Sequence, residues 1–348
     1  MHRFEIGQRA LHAGEVCEPG WVRGMRKVLH VGPAISKGGM GAVIQLLASS
    51  PPEGWNSEIL PSHNEGGAFA ILRAWWSARK NLKIRLRDSD VDIVHIHTAS
   101  NWSWTRKKML IKIARKADIP VVLSIHSGDF DKHCRKNGNS VKYICKETST
   151  YPVVLSEIWM ERLSKWIENP AIIANPVPDV DSTSIRNKNS FLLMGRSNPM
   201  KGQKIIIDAA QILLKEGFDF TIHMTGISGN YPGVTCHGWV EGEKRDVLLS
   251  TCGTLLSPSK WEGLSMTVIE AMARGMPILA SSASTGVFIN SGKIIERTPE
   301  AFANAMKHIM TSDDWLEMSK KGPVEAEKYS LSNITKEWMS LYNQVMNK

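Results

Sequence analysis

Two carboxylates, Glu262 and Glu270, stand eight positions apart in a stretch that opens Ser257-Pro258-Ser259-Lys260-Trp261 and closes Met276-Pro277. The residue types predict a buried strand end over 254–257, a polar loop, a helix opening near Gly263-Leu264 and an apolar strand from Pro277. A helix start leaves backbone N–H groups unpaired and partly positive, which suits an anion such as a diphosphate. Gly263 has no side chain to keep a ligand from the backbone. At about 3.6 residues per turn the two carboxylates sit roughly two turns apart. Carboxylates beside an anion site are useful for gripping hydroxyls, so a sugar, a diphosphate and a ribose in series form a ligand that satisfies all three features. Each Glu taken singly also has a plainer reading, Glu262 as a helix-start acid and Glu270 as a surface residue.

Cations are available for such a ligand. A strand over 191–195 ends in Gly195-Arg196, and a loop with Lys201-Gly202 leads into a helix over 203–215. Arg offers a planar fork and Lys a mobile point charge, a pair suited to a diphosphate. Earlier, a strand over 27–32 runs into a glycine-rich turn with Gly38, Gly39 and Gly41, and then an apolar helix from Ala42. The spacing is not that of a dinucleotide fingerprint, so no NAD site is expected. His126 ends a buried strand over 120–126 in Ser-Ile-His-Ser-Gly-Asp-Phe. Ligands of parallel sheets sit beyond the carboxyl ends of strands, which places His97, His126, Ser127, Gly128 and Asp129 near a site mouth. His95 reads as bonded within its sheet, while His97 fits either role. Asp88, Asp90 and Asp92 fall at the start of a strand, the wrong end for a metal site, and read as turn residues.

These elements alternate strand and helix throughout, with further strands over 57–60, 92–97, 153–156, 171–174, 218–225 and 234–240. Helices are predicted over 68–86, 101–116, 246–252, 299–310, 315–329 and 333–346, with one from Ile158. Buried strands alternating with helices predict an α/β protein whose parallel sheets are covered on both faces. Asn175-Pro176-Val177-Pro178 and the polar run to Asn189 read as a connector after which the pattern restarts. The division is therefore a disordered or leader segment over 1–26 with a second possible start at Met25, a first domain over 27–176, a second over 177–330, and a final helix over 331–348.

The string from Pro258-Ser259 through Glu262 and Glu270-Ala271-Met272-Ala273 to Gly275 and Pro277 resembles the Glu-x7-Glu motif of the family 4 retaining glycosyltransferases. The resemblance runs from about Lys27 to the C-terminus. It implies the GT-B architecture, two Rossmann-like doubly wound domains facing each other across a cleft, with the last helix returning to the first domain through Ile334, Trp338, Leu341 and Val345. It further implies transfer of a sugar from a UDP- or GDP-sugar, with no metal and no cofactor beyond that donor. Gly39 and Gly41 would face the cleft, and His126 would contact the transferred sugar. Gly195, Arg196 and Lys201 would attend the leaving diphosphate, together with Gly263, Leu264 and Ser265 at the helix mouth. Gly238 and Trp239 would lie where the nucleobase is received, Glu262 would orient sugar hydroxyls and Glu270 the ribose. With no evident carboxylate nucleophile, same-face attack is the implied chemistry. The stretch 281–290 departs from the family's glycine-rich loop with its Pro-Glu turn.

The chain has 348 residues, 42% hydrophobic and 22% charged, ordinary for a globular protein large enough for two domains. Five irregularly spaced cysteines form neither a disulfide nor a metal pattern and point to a reducing cytoplasm. No apolar run is long enough to cross a membrane. The net charge of +9 belongs mostly to the first half, where Arg73–Arg87 and Trp102–Lys116 interleave basic residues with Trp. Such segments suit an anionic membrane surface, or else solvated helices with their Trp residues turned inward. They point to a peripheral protein on the cytoplasmic face of the inner membrane, acting on a glycan or lipid-linked acceptor in surface polysaccharide synthesis (lipopolysaccharide O-antigen, capsule or exopolysaccharide), with no nucleic acid partner. The alternatives are a GT-B sugar-nucleotide epimerase and a non-catalytic basic protein that binds membrane or nucleic acid.

Overall fold

The computed structural model describes residues 25–36, 38–88, 90–180 and 186–347. The first half alternates β1 (Arg26–Gly32), α1 (Gly39–Ser49), β2 (Trp55–Pro61), α2 (Ala68–Arg87), β3 (Ile93–Thr98), α3 (Trp102–Arg115), β4 (Val121–Ile125), α4 (Phe130–Cys145), β5 (Thr150–Val154), α5 (Glu157–Leu163) and β6 (Ala171–Ile172). The strands form one parallel sheet in the order β2-β1-β3-β4-β5-β6.

Strand parity decides what each face holds, because successive side chains point to opposite sides. Leu29, Val31, Val94, Ile96 and Leu123 pack with Leu82, Leu110, Phe130 and Ile144 of α2, α3 and α4. Val28, Ile93 and Val122 face the other way, onto Val43 and Leu47 of α1. The same parity carries His30, His95, His97, Ser124 and His126 on this second face, and the register sets His30 opposite His95 and His97 opposite Ser124.

The second half restarts with β7 (Asn187–Leu193), then α6 (Gln203–Lys215), β8 (Thr221–Met224), β9 (Val234–Cys236), α7 (Gly242–Thr251), β10 (Cys252–Ser257), α8 (Met266–Ala273), β11 (Ile278–Ala280), β12 (Gly292–Ile294), α9 (Pro299–Thr311), α10 (Asp314–Ala326) and α11 (Leu331–Met346). Its sheet is also parallel, in the order β12-β11-β10-β7-β8-β9. Leu192, Leu255 and Ile278 pack beneath α8, while Phe191, Leu193, Leu256 and Leu279 pack beneath α6 and α9. Helix α11 does not stay with this sheet. Ile334, Trp338, Leu341, Tyr342 and Val345 pack with Val28, Trp55 and Ile93 of the first, each contributing about 1.5–3 kcal/mol by burial. Val177 N donates to Tyr329 O at 2.9 Å where the chain crosses over.

Several boundaries differ from the sequence expectation. Helix α1 begins at Gly39, so Gly39 and Gly41 lie in its first turn. Helix α8 begins at Met266, two residues beyond the expected mouth, with Ser265 as its N-cap residue. Strand β7 takes in Asn187–Asn189 of the expected connector, whose residues 181–185 lie outside the described residues. Helix α4 and strand β12 had no sequence counterpart. The expectation for 1–26 lies outside the described residues except at Met25 and Arg26, and Arg26 opens β1. The Trp-bearing basic helices are split in character. Trp104 is buried, whereas Trp76 and Trp102 are 55% and 78% exposed.

Candidate active site

The carboxyl ends of the two sheets meet at a pair of glycines. A Cβ placed on Gly128 would lie 2.4 Å from the Glu262 carbonyl carbon, and one on Gly263 would lie 2.1 Å from His126 O. Only glycine permits this backbone contact, which sets the His126–Gly128 turn after β4 against Glu262-Gly263 before α8. Trp159 of α5 reinforces it, its Nε1 donating to Gly263 O at 2.7 Å. A second junction lies at the start of α1. Gly38 has φ of 118°, and a Cβ there would stand 2.7 Å from an Arg196 guanidinium nitrogen; Gly39 packs beside Met266, the first residue of α8. Two helix N-termini and Arg196 therefore share one place, which favours negative charge. Neither helix start is capped by a side chain.

On the second-half wall, Lys201 and Glu262 form an ion pair at 2.6 Å. The short turn Pro199–Lys201 is held by Asn198, whose side chain accepts from Met200 N at 2.9 Å. Gly202 follows at φ 77°, where a Cβ would stand 2.6 Å from Pro258 O. The turn is thereby pressed onto the loop that carries Glu262. Lys201, Glu262 and Ser265 line a narrow crevice open to solvent, together with Ser257, Pro258 and Ser259. Gly195 abuts the stem of Lys201 and donates from N to Thr225 Oγ1 at 2.9 Å. Arg196 is largely exposed and reaches Glu65 of the first half at 3.8 Å.

The structure separates other expected residues from this crevice. A Cβ on Gly41 would strike Ser36 O, so this glycine serves the packing of the preceding turn rather than the cleft. The Leu264 side chain belongs to the second-half core, leaving its backbone for a ligand. Glu270 is buried on α8, hydrogen-bonded and ion-paired with Arg245, and near Arg274, which itself bonds Asp246. Burial raises the Glu270 carboxyl above its usual range even though both arginines oppose the shift. Gly238, at φ 64°, accepts from Gly226 N at 2.6 Å at the loop after β9. Trp239 beside it is 38% exposed and donates to Glu241 at 2.7 Å.

The first-half wall carries imidazoles. His30 Nδ1 is 3.1 Å from His97 Nε2, and His97 Nδ1 is 3.0 Å from His126 Nε2. Burial lowers His30 to about 3 and His126 to about 4, Asn175 offsetting part of the latter, and drives His97 well down. All three are therefore neutral near pH 7, each with one N–H. Serial bonding then couples their tautomers. If His30 donates, His97 donates onward and His126 keeps its proton on Nδ1; if the chain runs backward, that atom is an acceptor. His126 Nδ1 is buried and makes no well-formed bond among the described residues. The nitrogens of His30, His95 and His97 are close enough to suggest a metal. The His95 and His97 rings, however, stack at 4.1 Å and 26°, so their in-plane lone pairs run nearly parallel. Both nitrogens of His95 are also engaged, by Tyr342 OH at 2.8 Å and Ser124 Oγ at 2.7 Å. This is a hydrogen-bonded stack. Asp129 meanwhile accepts from Ser127 and from Ser100, the latter at 2.8 Å.

Sequence reasoning missed His30, Glu65, Trp159 and Arg245. His30 alone carried a signal, its parity with Val28 on β1.

A family model described as Glycosyltransferase Family 4 matches residues 40–178, and one described as Glycosyl transferases group 1 matches residues 188–312. An uncharacterized glycosyltransferase of Haemophilus influenzae is 27% identical over 230 residues, 58% of this chain and 63% of that protein. O-antigen chain mannosyltransferase B of Escherichia coli is 23% identical over 192 residues, half of each chain. The chain thus spans less than two thirds of the length of either relative. Among solved structures, the sucrose-phosphate synthase of Thermosynechococcus elongatus superposes with a TM-score of 0.70 at 15% identity, over 92% of this chain and 99% of that one. With two parallel α/β halves meeting at Gly128 and Gly263, and with both halves matched by family models, this chain belongs to the family 4 glycosyltransferases of GT-B fold.

Proposed function

We infer that the chain transfers a sugar, with retention of anomeric configuration and without a metal, from a UDP- or GDP-sugar to a glycan or lipid-linked acceptor. The observation that carries this reading is the Lys201–Glu262 pair at the mouth of α8, opposite His126. A ligand with an anion next to hydroxyls can engage both partners at once: the diphosphate takes Lys201 and a sugar hydroxyl donates to Glu262. Arg196, Lys201 and the starts of α1 and α8 stabilise charge growing on the leaving diphosphate, the electrostatic contribution that usually dominates such chemistry. The acceptor hydroxyl attacks from the face the diphosphate leaves, its proton passing to a leaving phosphate oxygen, while His126 orients the sugar from the other wall. Glu270 serves the ribose only by sharing its carboxylate with Arg245. The E. coli relative's name favours surface polysaccharide synthesis as the setting. A thermal-shift panel of nucleotide sugars identifies the donor, and NMR of the product then reads the anomer. An inverted linkage would rule out same-face attack, and a changed sugar nucleotide formed without acceptor would indicate an epimerase.

A peripheral membrane position at the cytoplasmic face is favoured by Phe69, Trp76 and Trp102, all exposed on basic helices, with Arg79 stacked 4.6 Å over Trp76. No described helix is long and apolar enough to span a bilayer. Co-sedimentation with vesicles that is indifferent to anionic lipid would count against this position.

A further inference from the structure

Lys107 sits in the basic Trp-rich segment of α3, yet it is 4% exposed. It points inward to Ser62, just past the end of β2, and lies near enough to His97 to influence it. Its ammonium has three donors and makes one hydrogen bond, to Ser62 Oγ. Among the described residues no carboxylate lies within ion-pair distance of Lys107 or of its neighbour Arg106. Arg106 contributes a guanidinium nitrogen 3.2 Å from His63 Nδ1. Burial, then Arg106 and Lys107, lower the His63 pKa, so the ring is neutral, accepts from Arg106 at Nδ1 and keeps an N–H at Nε2. Donors therefore gather here from two elements, α3 and the loop after β2, and the nearest carboxylate, Glu65, acts on His63 but forms no ion pair with Arg106 or Lys107. That loop also carries Glu65, which reaches Arg196.

A buried cation with neither counter-ion nor full hydrogen bonding is unfavourable. It is relieved by losing its proton or by gaining an anion. Burial, with Arg106 adding to it, brings Lys107 down to about 7, so both routes are open at physiological pH. A carboxylate presents two oxygens in one plane, whereas a tetrahedral phosphate accepts from donors in several directions.

We propose that Lys107, Arg106 and His63 seat a phosphate group of the acceptor on the first-half wall, across from the donor diphosphate at Lys201 and Ser265. That the phosphate belongs to an acceptor rests on the transferase reading; that phosphate binds here does not.

The test is calorimetric titration of inorganic phosphate into the full chain at pH 8, in buffers of different ionisation heat. Lys107 is mostly neutral at pH 8 and becomes charged beside the anion, so binding takes up about one proton. Lys107→Gln weakens binding by about tenfold and abolishes the uptake. Arg106→Gln, at a half-buried position, weakens binding while retaining the uptake and covers the case in which Lys107→Gln fails to fold. Lys201→Met removes only phosphate heat that is independent of the buffer and retains the proton uptake, which separates this seat from the donor site. Binding without proton uptake in the wild type, or unchanged binding in Lys107→Gln, would overturn the proposal. The source is read by displacement. Displacement by vesicles carrying a polyprenyl phosphate, or by glucose 1-phosphate in solution, supports the seat and names its source; displacement by neither overturns it. Nucleotide-sugar binding on the same samples reports separately on the donor reading.

Discussion

The two walls of the cleft bury polar groups in opposite ways. In the second half the charges are paired within the chain: Lys201 with Glu262 at the crevice, and Arg245 with Glu270 and Arg274 with Asp246 behind it. On the first-half wall the buried groups are neutral imidazoles hydrogen-bonded in series, and the nearby Lys107 has no counter-ion among the described residues. On the proposed function, the difference matches what each wall would meet. A wall of pre-formed ion pairs exchanges partners with a ligand that carries both charge and hydroxyls, at little net cost. A wall of neutral rings that burial keeps from ionising holds the end of β4 and His126 in place without adding charge beside a sugar.

Breaking the charged wall has the largest expected effect. Glu262→Gln or Lys201→Met lowers transfer by about 10²–10³ while the melting temperature moves little, as initial rates and thermal unfolding will show. Near-normal turnover would leave the pair structural. Next is Arg245→Met, which strands the buried Glu270 carboxylate. It lowers the unfolding free energy by about 3 kcal/mol, measured by urea denaturation, and adding Glu270→Gln restores most of it. If the double variant is no more stable than the single one, the two side chains are not coupled.

The neutral wall is broken by acid. His30 and His126 have folded values of about 3 and about 4, below the ordinary 6.5 of an unfolded chain. Between those values and 6.5 the unfolded state binds more protons, so stability is full above about pH 6.5 and is lost progressively toward pH 4. Melting temperature against pH reports this, and His30→Leu flattens the slope. The smallest effect is on the surface: Trp76→Ala with Trp102→Ala lowers anionic-vesicle association about tenfold at most without moving the melting temperature.

The charged wall was the more legible in sequence, because its residues cluster in one loop and one helix mouth whose spacing carries meaning. Arg245 was not legible, since its contact with Glu270 joins separate helices. The histidine stack was half legible: strand ends marked His97 and His126, but His30 lies inside β1 and meets them only through the β1–β3 register. Lys107 was misread as part of a solvated or membrane-facing stripe, because a basic run on a helix does not reveal which of its members turns inward. The start of α8 was misplaced because Gly263 resembles a helix opening, while the chain only bends at Gly263-Leu264 and is extended at Ser265 before the helix begins.

The most direct measurement is calorimetric titration of UDP- and GDP-sugars into the wild type and into Lys201→Met. Binding of one donor to the wild type, weakened by about tenfold or more in the variant, is the expected result. Equal affinity in the two proteins, or no nucleotide sugar bound by the wild type, would contradict a diphosphate seat between the starts of α1 and α8.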